Sequence, residues 1–301
     1  MSSFKAASPD GTPSLFYKSY WNTMGDDVVA TVRNFFITGH LHPYLNQSNI
    51  IQVPKGQNPK TTNQFRPIAV CNVIYKVISN LLANRVMPLL DKLICLTQND
   101  FMPGRSIHNN SVLIQDVIHA LKKKRGSQGW MAMKIDLQKA YDRLSWKFLN
   151  SVLTAFGFHP RWIRWVLLCY FTTSMTLMLN GASFHSFHPK RDRHTPALHH
   201  LLFANNIFLM GKCTVNEGFY FKECLDTLCG WSSQSFNLRK SNIFFNRRAS
   251  GQISGLVTSL MGFDKISPNS SYLGLPLFKT GFAKDFSFLL EKLESKLADW
   301  F

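Results

Sequence analysis

The chain has 301 residues, 45% of them hydrophobic, with Lys+Arg 34 against Asp+Glu 17 and a formal charge of +17 that no single basic tail accounts for. Its length allows one large domain or two small ones with a sizeable core, and the positive excess favours a polyanionic partner, because each neutralised phosphate releases counterions. The six cysteines form no Cys-x-x-Cys pair, no run approaches the roughly 18 apolar residues of a membrane span, and the start lacks a signal-peptide pattern; a zinc ribbon, a secreted disulfide framework and a membrane protein are excluded in favour of an intracellular, soluble one.

Residues 1–14 are polar and rich in Ser, Pro and Gly, and Pro9-Asp10-Gly11 is turn chemistry. Residues 16–21 and 28–36 read as helices; Asp26-Asp27 suit the start of the second and Gly39 ends it. A short strand over 49–56 leaves into the polar loop 56–64, with Lys55 at the exit and Arg66 beyond it beside Pro67. Apolar positions 74, 77, 78, 81 and 82 predict a helix within 70–90, from which Lys76 and Arg85 project and which Pro88 kinks or ends. Residues 98–105 read as a loop. Asn109-Asn110-Ser111 caps a helix through Leu121, which closes on Lys122-Lys123-Lys124-Arg125-Gly126. That run fits a helix end whose lysines complement the dipole before a Gly stop, ahead of an import signal or a phosphate contact.

Trp130-Met131-Ala132-Met133-Lys134-Ile135-Asp136 is an apolar run closing on an acid, which reads as a buried strand delivering one carboxylate to a sheet edge. A lone Asp there more often caps the next helix. Ser145 caps a helix carrying Trp146, Leu149, Val152, Leu153 and Phe156, and Gly157 stops it; Pro160 opens another to Tyr170, with aromatics at 162, 165 and 170 read as core. A weak strand over 172–179 meets the hairpin signal Asn180-Gly181. His185, His188, His194, His199 and His200 crowd the next stretch. Their spacings match no zinc pattern and Asp192 is the one carboxylate near them, so metal binding is the weaker reading. Residues 201–210 predict a β-hairpin with Asn205-Asn206 at its tip, 218–229 a helix, 236–245 a strand and turn, and 249–271 a Ser/Gly-rich connection. A last strand over 272–278 and an amphipathic helix over 285–300 follow.

An ordered set of motifs runs along this frame: Phe65-Arg66-Pro67-Ile68, Tyr75-Lys76-Val77-Ile78, Leu82-Ala83-Asn84-Arg85, Gln98-Asn99-Asp100-Phe101-Met102-Pro103-Gly104-Arg105, Lys134 to Asp142, Leu202-Phe203-Ala204-Asn205-Asn206, Asn237-Leu238-Arg239-Lys240-Ser241 and Tyr272-Leu273-Gly274-Leu275-Pro276-Leu277. In this order, from Lys5 to the C-terminus, the chain resembles the reverse transcriptase of plant LINE-type (non-LTR) retrotransposons. Three departures stand out. Ala7-Ser8 replace a Pro-Gly, the second catalytic motif reads Phe-Ala-Asn-Asn, and a Gln-Gly-Asp-Pro-Leu-Ser-Pro-like segment before it is largely missing.

The resemblance implies an α+β right-hand polymerase fragment of fingers and palm with an antiparallel palm sheet, incomplete between residues 182 and 200. It implies an N-terminal extension over 1–47, fingers and palm over 48–248, and a connection with the start of a thumb over 249–301, as an excerpt of a longer polyprotein. RNA-directed DNA synthesis on an RNA template and a DNA primer would use two Mg²⁺ (or Mn²⁺) ions, with Asp136 as the first ligand and the acids expected at 205 and 206 as the others. Here those are Asn205 and Asn206, and an amide brings no charge; Asp142, six residues past Asp136, is no assumed substitute. By resemblance Arg66, Lys55 and Lys240 contact the nucleotide and Tyr141 blocks a ribose 2′-hydroxyl. Lys55 reads first as a solvated loop lysine, and Tyr141 has a core role as its alternative. The expectation is a reverse-transcriptase-like domain without catalysis. A non-catalytic RNA/DNA-binding remnant, with the nucleus open to it, and an unstable product without function are the alternatives.

Overall fold

Two segments, the mixed Gln47–Pro54 and the mostly apolar Trp130–Asp136, each become an inner strand of a separate four-stranded sheet. The structure is a computed structural model and describes residues 8–99, 102–138, 143–188, 206–267, 271–272 and 275–276. It is a mixed α+β chain of two compact units: Met1–Cys95, Gln138–Asn205 and Leu228–Ser235 form the first, and Leu96–Leu137, Asn206–Thr227 and Phe236–Phe301 the second.

In the first unit α1 (Ser14–Ser19) and α2 (Trp21–Thr38) precede β1 (Gln47–Pro54), β2 (Phe65–Cys71) and α3 (Val73–Leu93). In the second unit α4 (Ile107–Lys123) leads into β3 (Trp130–Asp136). The chain then returns to the first unit with α5 (Trp146–Ala155), α6 (Pro160–Phe171), β4 (Ser174–Leu179) and β5 (Ala182–Phe187). Its sheet runs β2-β1-β4-β5, with β1 antiparallel to β2 and parallel to β4. Ile50 is 2% exposed and Ile51 38%, so alternation puts one side of β1 on the core and the other outward. Asn180 (φ 50°) and Gly181 (φ 82°) both take the positive φ that a two-residue hairpin between β4 and β5 demands.

The core of this unit joins Val28, Val32 and Phe35 of α2 to Ile78 and Leu82 of α3 and Cys169 of α6, with Trp162 and Trp165 packed against them. Tyr170, expected in the core with these tryptophans, is 48% exposed, because it follows the buried Cys169 around the helix. Asn46 is fully buried and fully bonded. Its Nδ2 donates to the Cys169 carbonyl at 3.1 Å and to Thr172 Oγ1 at 2.7 Å, and its Oδ1 accepts from Thr173 Oγ1 at 3.2 Å. Arg161 Nη2 donates to the Phe36 carbonyl at 3.1 Å and the Ile37 carbonyl at 3.4 Å, closing the end of α2, where Gly39 (φ 70°) donates its N–H to the Phe35 carbonyl.

Several boundaries differ from expectation for identifiable reasons. α2 starts at Trp21, so Asp26-Asp27 lie inside it; the indole of Trp21 lies on Gly25, within 3.0 Å of where a Cβ would stand. β2 was concealed by Pro67, which argues against a central strand but is tolerated here because β2 is an edge strand. Pro88 does not end α3, which runs on to Leu93 with the proline exposed inside it. Asn109 and Asn110 fall inside α4, two and three residues after its first residue.

In the second unit β6 (Asn206–Lys212), α7 (Val215–Ser232), β7 (Asn242–Phe245), α8 (Gly251–Met261) and β8 (Asp264–Lys265) follow β3, although the last turn of α7 is counted with the first unit. The sheet order is β6-β3-β7-β8, with β3 antiparallel to both neighbours and a parallel β7–β8 pair added at one edge of an otherwise antiparallel sheet. β3 is buried on both faces, which is why it reads as a nearly continuous apolar run. Met131, Met133 and Ile135 pack with Leu225 of α7 and Val257 and Met261 of α8; Ala132 packs with Ile114, Ile118 and Leu121 of α4.

The helix α8 corrects the expected connection over 249–271. Gly251, Ser254 and Gly255 hid it, but Ser254, Val257 and Met261 form one buried side and Gly262 (φ 67°) stops it. Ser271–Tyr272 (β9) pairs antiparallel with Leu275–Pro276 (β10), a short hairpin in place of one strand over 272–278. The first arm of the hairpin expected over 201–210 and the helix over 285–300 lie outside the described residues. No helix among the described residues is long and apolar enough to cross a membrane.

Gly129 precedes β3 where a Cβ would meet the Ala249 Cα at 2.6 Å and the Ala249 N at 3.0 Å, both backbone atoms. Gly129→Ala is expected to lower stability by about 1–3 kcal/mol through the enforced backbone shift, read as a lower denaturation midpoint with unchanged slope.

Candidate functional site

Asp136 ends β3, and the segment 236–241 holds it there. Its N–H donates to Ser241 Oγ at 3.0 Å, and its carbonyl accepts from the Asn237 N–H at 2.8 Å. Leu137 bridges to Phe236, and the N–H groups of Lys240 and Ser241 both donate to the Asn237 carbonyl, at 3.0 and 2.9 Å. The turn that carries Lys240 is thus tied to the strand that carries Asp136. Lys134, two residues back, shares the face of β3 on which Asp136 lies. Across the sheet Asp136 stands opposite Asn206 and Lys134 opposite Phe208.

Burial dominates the electrostatics. It pushes the Asp136 carboxyl above the usual carboxylate value, against the opposing pulls of Lys240, Lys134 and a hydrogen bond with Asn237. It pushes the Lys134 ammonium down, with Asp136 opposing and Lys240 adding to the shift. Both partners of this acid–base pair therefore move toward neutrality, because desolvation exceeds their attraction. An acid whose folded value is raised contributes stability that is fully present below its unfolded value and lost as pH rises through its folded value. Asp136→Asn, which fixes the neutral form, is accordingly expected to raise the melting temperature at neutral pH. Melts in acid, below the usual carboxylate range, should show that gain disappear; a lower melting temperature at neutral pH would contradict the burial argument.

Of the residues singled out from sequence, Asp136, Lys240 and the backbone of Asn206 come together in the second unit. Asn205, Tyr141 and Asp142 lie outside the described residues. Lys55 and Arg66 belong to the first unit and flank its β1–β2 loop: the Lys55 N–H donates to the Gln64 carbonyl at 2.8 Å, and Arg66, exposed on β2, stands opposite Val53. The histidine stretch yields His188, whose Nδ1 lies 3.2 Å from the Thr173 carbonyl; His194, His199 and His200 are outside the described residues. Lys134, Asn237 and Ser241 were not singled out as site residues. A lysine two positions before an acid in an otherwise apolar strand was the signal for the first.

Among the described residues no group of three or more His, Cys, Asp or Glu could hold a metal ion. Among the described residues the donor set at Asp136 is one carboxylate beside two ammonium groups. It does not fit a pair of Mg²⁺ ions, which prefer several hard anionic oxygens.

Residues 53–195 match the family model for reverse transcriptase (RNA-dependent DNA polymerase), a stretch that takes in Arg66, β3 and Asp136 and stops before Asn206. Over that stretch the chain, a mixed α+β fold, is similar to a reverse transcriptase domain. It is similar to the Transposon TX1 uncharacterized 149 kDa protein of Xenopus laevis, 24% identical over 176 residues, 58% of this chain and 13% of that protein. It is also similar to the Retrovirus-related Pol polyprotein from type-2 retrotransposable element R2DM of Drosophila melanogaster, 25% identical over 154 residues, 51% of this chain and 14% of that protein. The chain therefore spans a small part of the length of either relative.

Proposed function

We propose that this chain is a reverse-transcriptase-like domain of a non-LTR, plant LINE-type retrotransposon that has lost catalysis and keeps the capacity to bind RNA and DNA. The pairing of Asp136 with Asn206 carries the reading. Opposed residues in an antiparallel pair have Cα atoms only about 4.5–5.5 Å apart, so this register puts an amide residue where a second carboxylate would neighbour the first. Nucleotide transfer needs concentrated negative charge to hold its divalent ions, and the loss of one preorganised electrostatic group typically costs about 10²- to 10³-fold in rate. Lys134 and Lys240 tip the local balance further toward positive charge. By resemblance, residues 48–248 are the fingers and palm, shortened near 182–200, and residues 249–301 begin the connection to a thumb. The excess of basic residues supports binding of an RNA template and a DNA primer inside the cell, the nucleus included.

Primer extension on an RNA template with Mg²⁺ or Mn²⁺ tests the loss of catalysis. The chain as it stands is expected to bind the primed template, with steep salt dependence, and to add no nucleotides. Extension that disappears in Asp136→Ala would overturn the reading.

A further inference from the structure

At the end of β3 remote from Asp136, two chain segments are locked together. The Trp130 N–H donates to Asn246 Oδ1 at 2.9 Å, the Asn246 N–H donates to the Trp130 carbonyl at 3.0 Å, and Asn246 Nδ2 donates to the Leu121 carbonyl at 3.5 Å. Gly129 admits the backbone of Arg248 and Ala249 to a distance no side chain would allow. The Lys124 ammonium lies 3.6 Å over the Trp130 ring. Stretches 122–129 and 246–249 therefore present one surface rather than two independent loops.

That surface gathers positive charge. Lys123 and Arg125 stand exposed on the first segment, Arg247 and Arg248 on the second. Lys122 reports the crowding, since its ammonium is pushed down first by burial and then by the charge of Arg247. Lys212, opposite Trp130 at the end of β6, adds a further exposed cation at the same sheet end. Like charges held together by backbone hydrogen bonds repel one another, and a bound anion relieves that repulsion.

We propose that Lys123, Arg125, Arg247 and Arg248 form a docking site for the phosphate backbone of a nucleic acid, about 20 Å along β3 from Asp136. The proposal rests on the reading of the chain as a nucleic-acid binder and is independent of catalysis. A linear import signal is the competing use of Lys122-Lys123-Lys124-Arg125. Such a run must leave the fold to be read in extended form, yet Lys122 and Lys123 belong to the last turn of α4 and Lys124 is held on Trp130. Guanidinium forks on a fixed base suit phosphate oxygens, which accept paired N–H bonds, and a polymer supplies several phosphates to a surface fed by two segments.

The test is fluorescence anisotropy of a labelled mixed-sequence RNA–DNA hybrid with the full chain across a salt series. The pairs Lys123→Gln with Arg125→Gln, and Arg247→Gln with Arg248→Gln, are measured alone and combined, beside Lys222→Gln, whose ammonium pairs with Asp226 on α7. Each pair is expected to reduce the slope of log affinity against log salt by about 2, and the combination by about 3–4, since each phosphate contact contributes about 0.9. Lys222→Gln should leave the slope unchanged. A steep wild-type slope that the fourfold variant keeps would overturn this site and leave the nucleic-acid reading standing. No hybrid binding by the native chain would overturn both. Displacement of the hybrid by polyglutamate as effectively, charge for charge, as by unlabelled hybrid would show a surface for acidic polypeptide and overturn the assignment. All four substituted side chains are exposed, so unchanged circular dichroism is the expected control.

Discussion

Aspartate at both 205 and 206 is expected to bring primer extension at least about 10²-fold above the detection limit that the native chain does not reach, since each preorganised electrostatic group is worth roughly 10²- to 10³-fold. The backbone is already in place for it, with Asn206 opposite Asp136 and the strand end held by Ser241 and Asn237. New carboxylates beside Asp136 repel it when no cation is present, so the variant should melt lower than the native chain in a chelator. Mg²⁺ should then raise its melting temperature, because an ion that binds only the folded state stabilises it by mass action. The native chain should show no such response. An Mg²⁺-dependent melt without extension would place the remaining defect outside positions 205 and 206. Absence of both responses would sink the claim that two amides account for the loss.

Phe35→Ala is expected to remove about 3–5 kcal/mol of stability, a large share of the roughly 5–15 kcal/mol typical of a folded domain. Phe35 is 1% exposed and sits among Val28, Val32, Ile78 and Leu82, with Phe36 stacked edge-on against Trp165 at 5.0 Å. Truncation leaves a cavity whose walls belong to three helices, and such walls relax only in part. Denaturant unfolding followed by tryptophan fluorescence reads this directly, because Trp162 and Trp165 line the same cluster. Phe35→Leu should cost markedly less. A loss under 1 kcal/mol for the alanine variant would mean that α2 contributes little to the core of its unit.

What could be read from the residues was local. The ends of β3, the Ser145 cap, the Pro160 start and the Asn180-Gly181 turn each announce themselves within a few positions, through an apolar run closing on an acid, a side-chain acceptor, a missing N–H or a positive φ. Pro67 and the Ser/Gly-rich stretch before Met261 misled for the same reason: breakers signal locally, while an edge position or a buried helix side is decided by the rest of the chain. The site was half legible. Asp136 and Lys240 follow from motif order, but the bonds from Ser241 and Asn237 to the end of β3 link positions about a hundred residues apart and leave no local trace. Lys134 escaped notice because one lysine in an apolar strand is usually an exposed edge residue, whereas here it is half-buried beside the acid.

The parallel pairing of β1 with β4 also governs how this protein can be made. Asn46 and its partner Thr173 are 127 positions apart, and β1 has no neighbour on that side until the second of them has left the ribosome. At roughly 5–20 residues per second, an edge of β1 waits on the order of 10 s during translation. For that interval the nascent chain offers unpaired strand to any other strand nearby. Yield in cells should therefore depend on chaperone supply and on elongation rate between these positions more than on the stability of the finished fold.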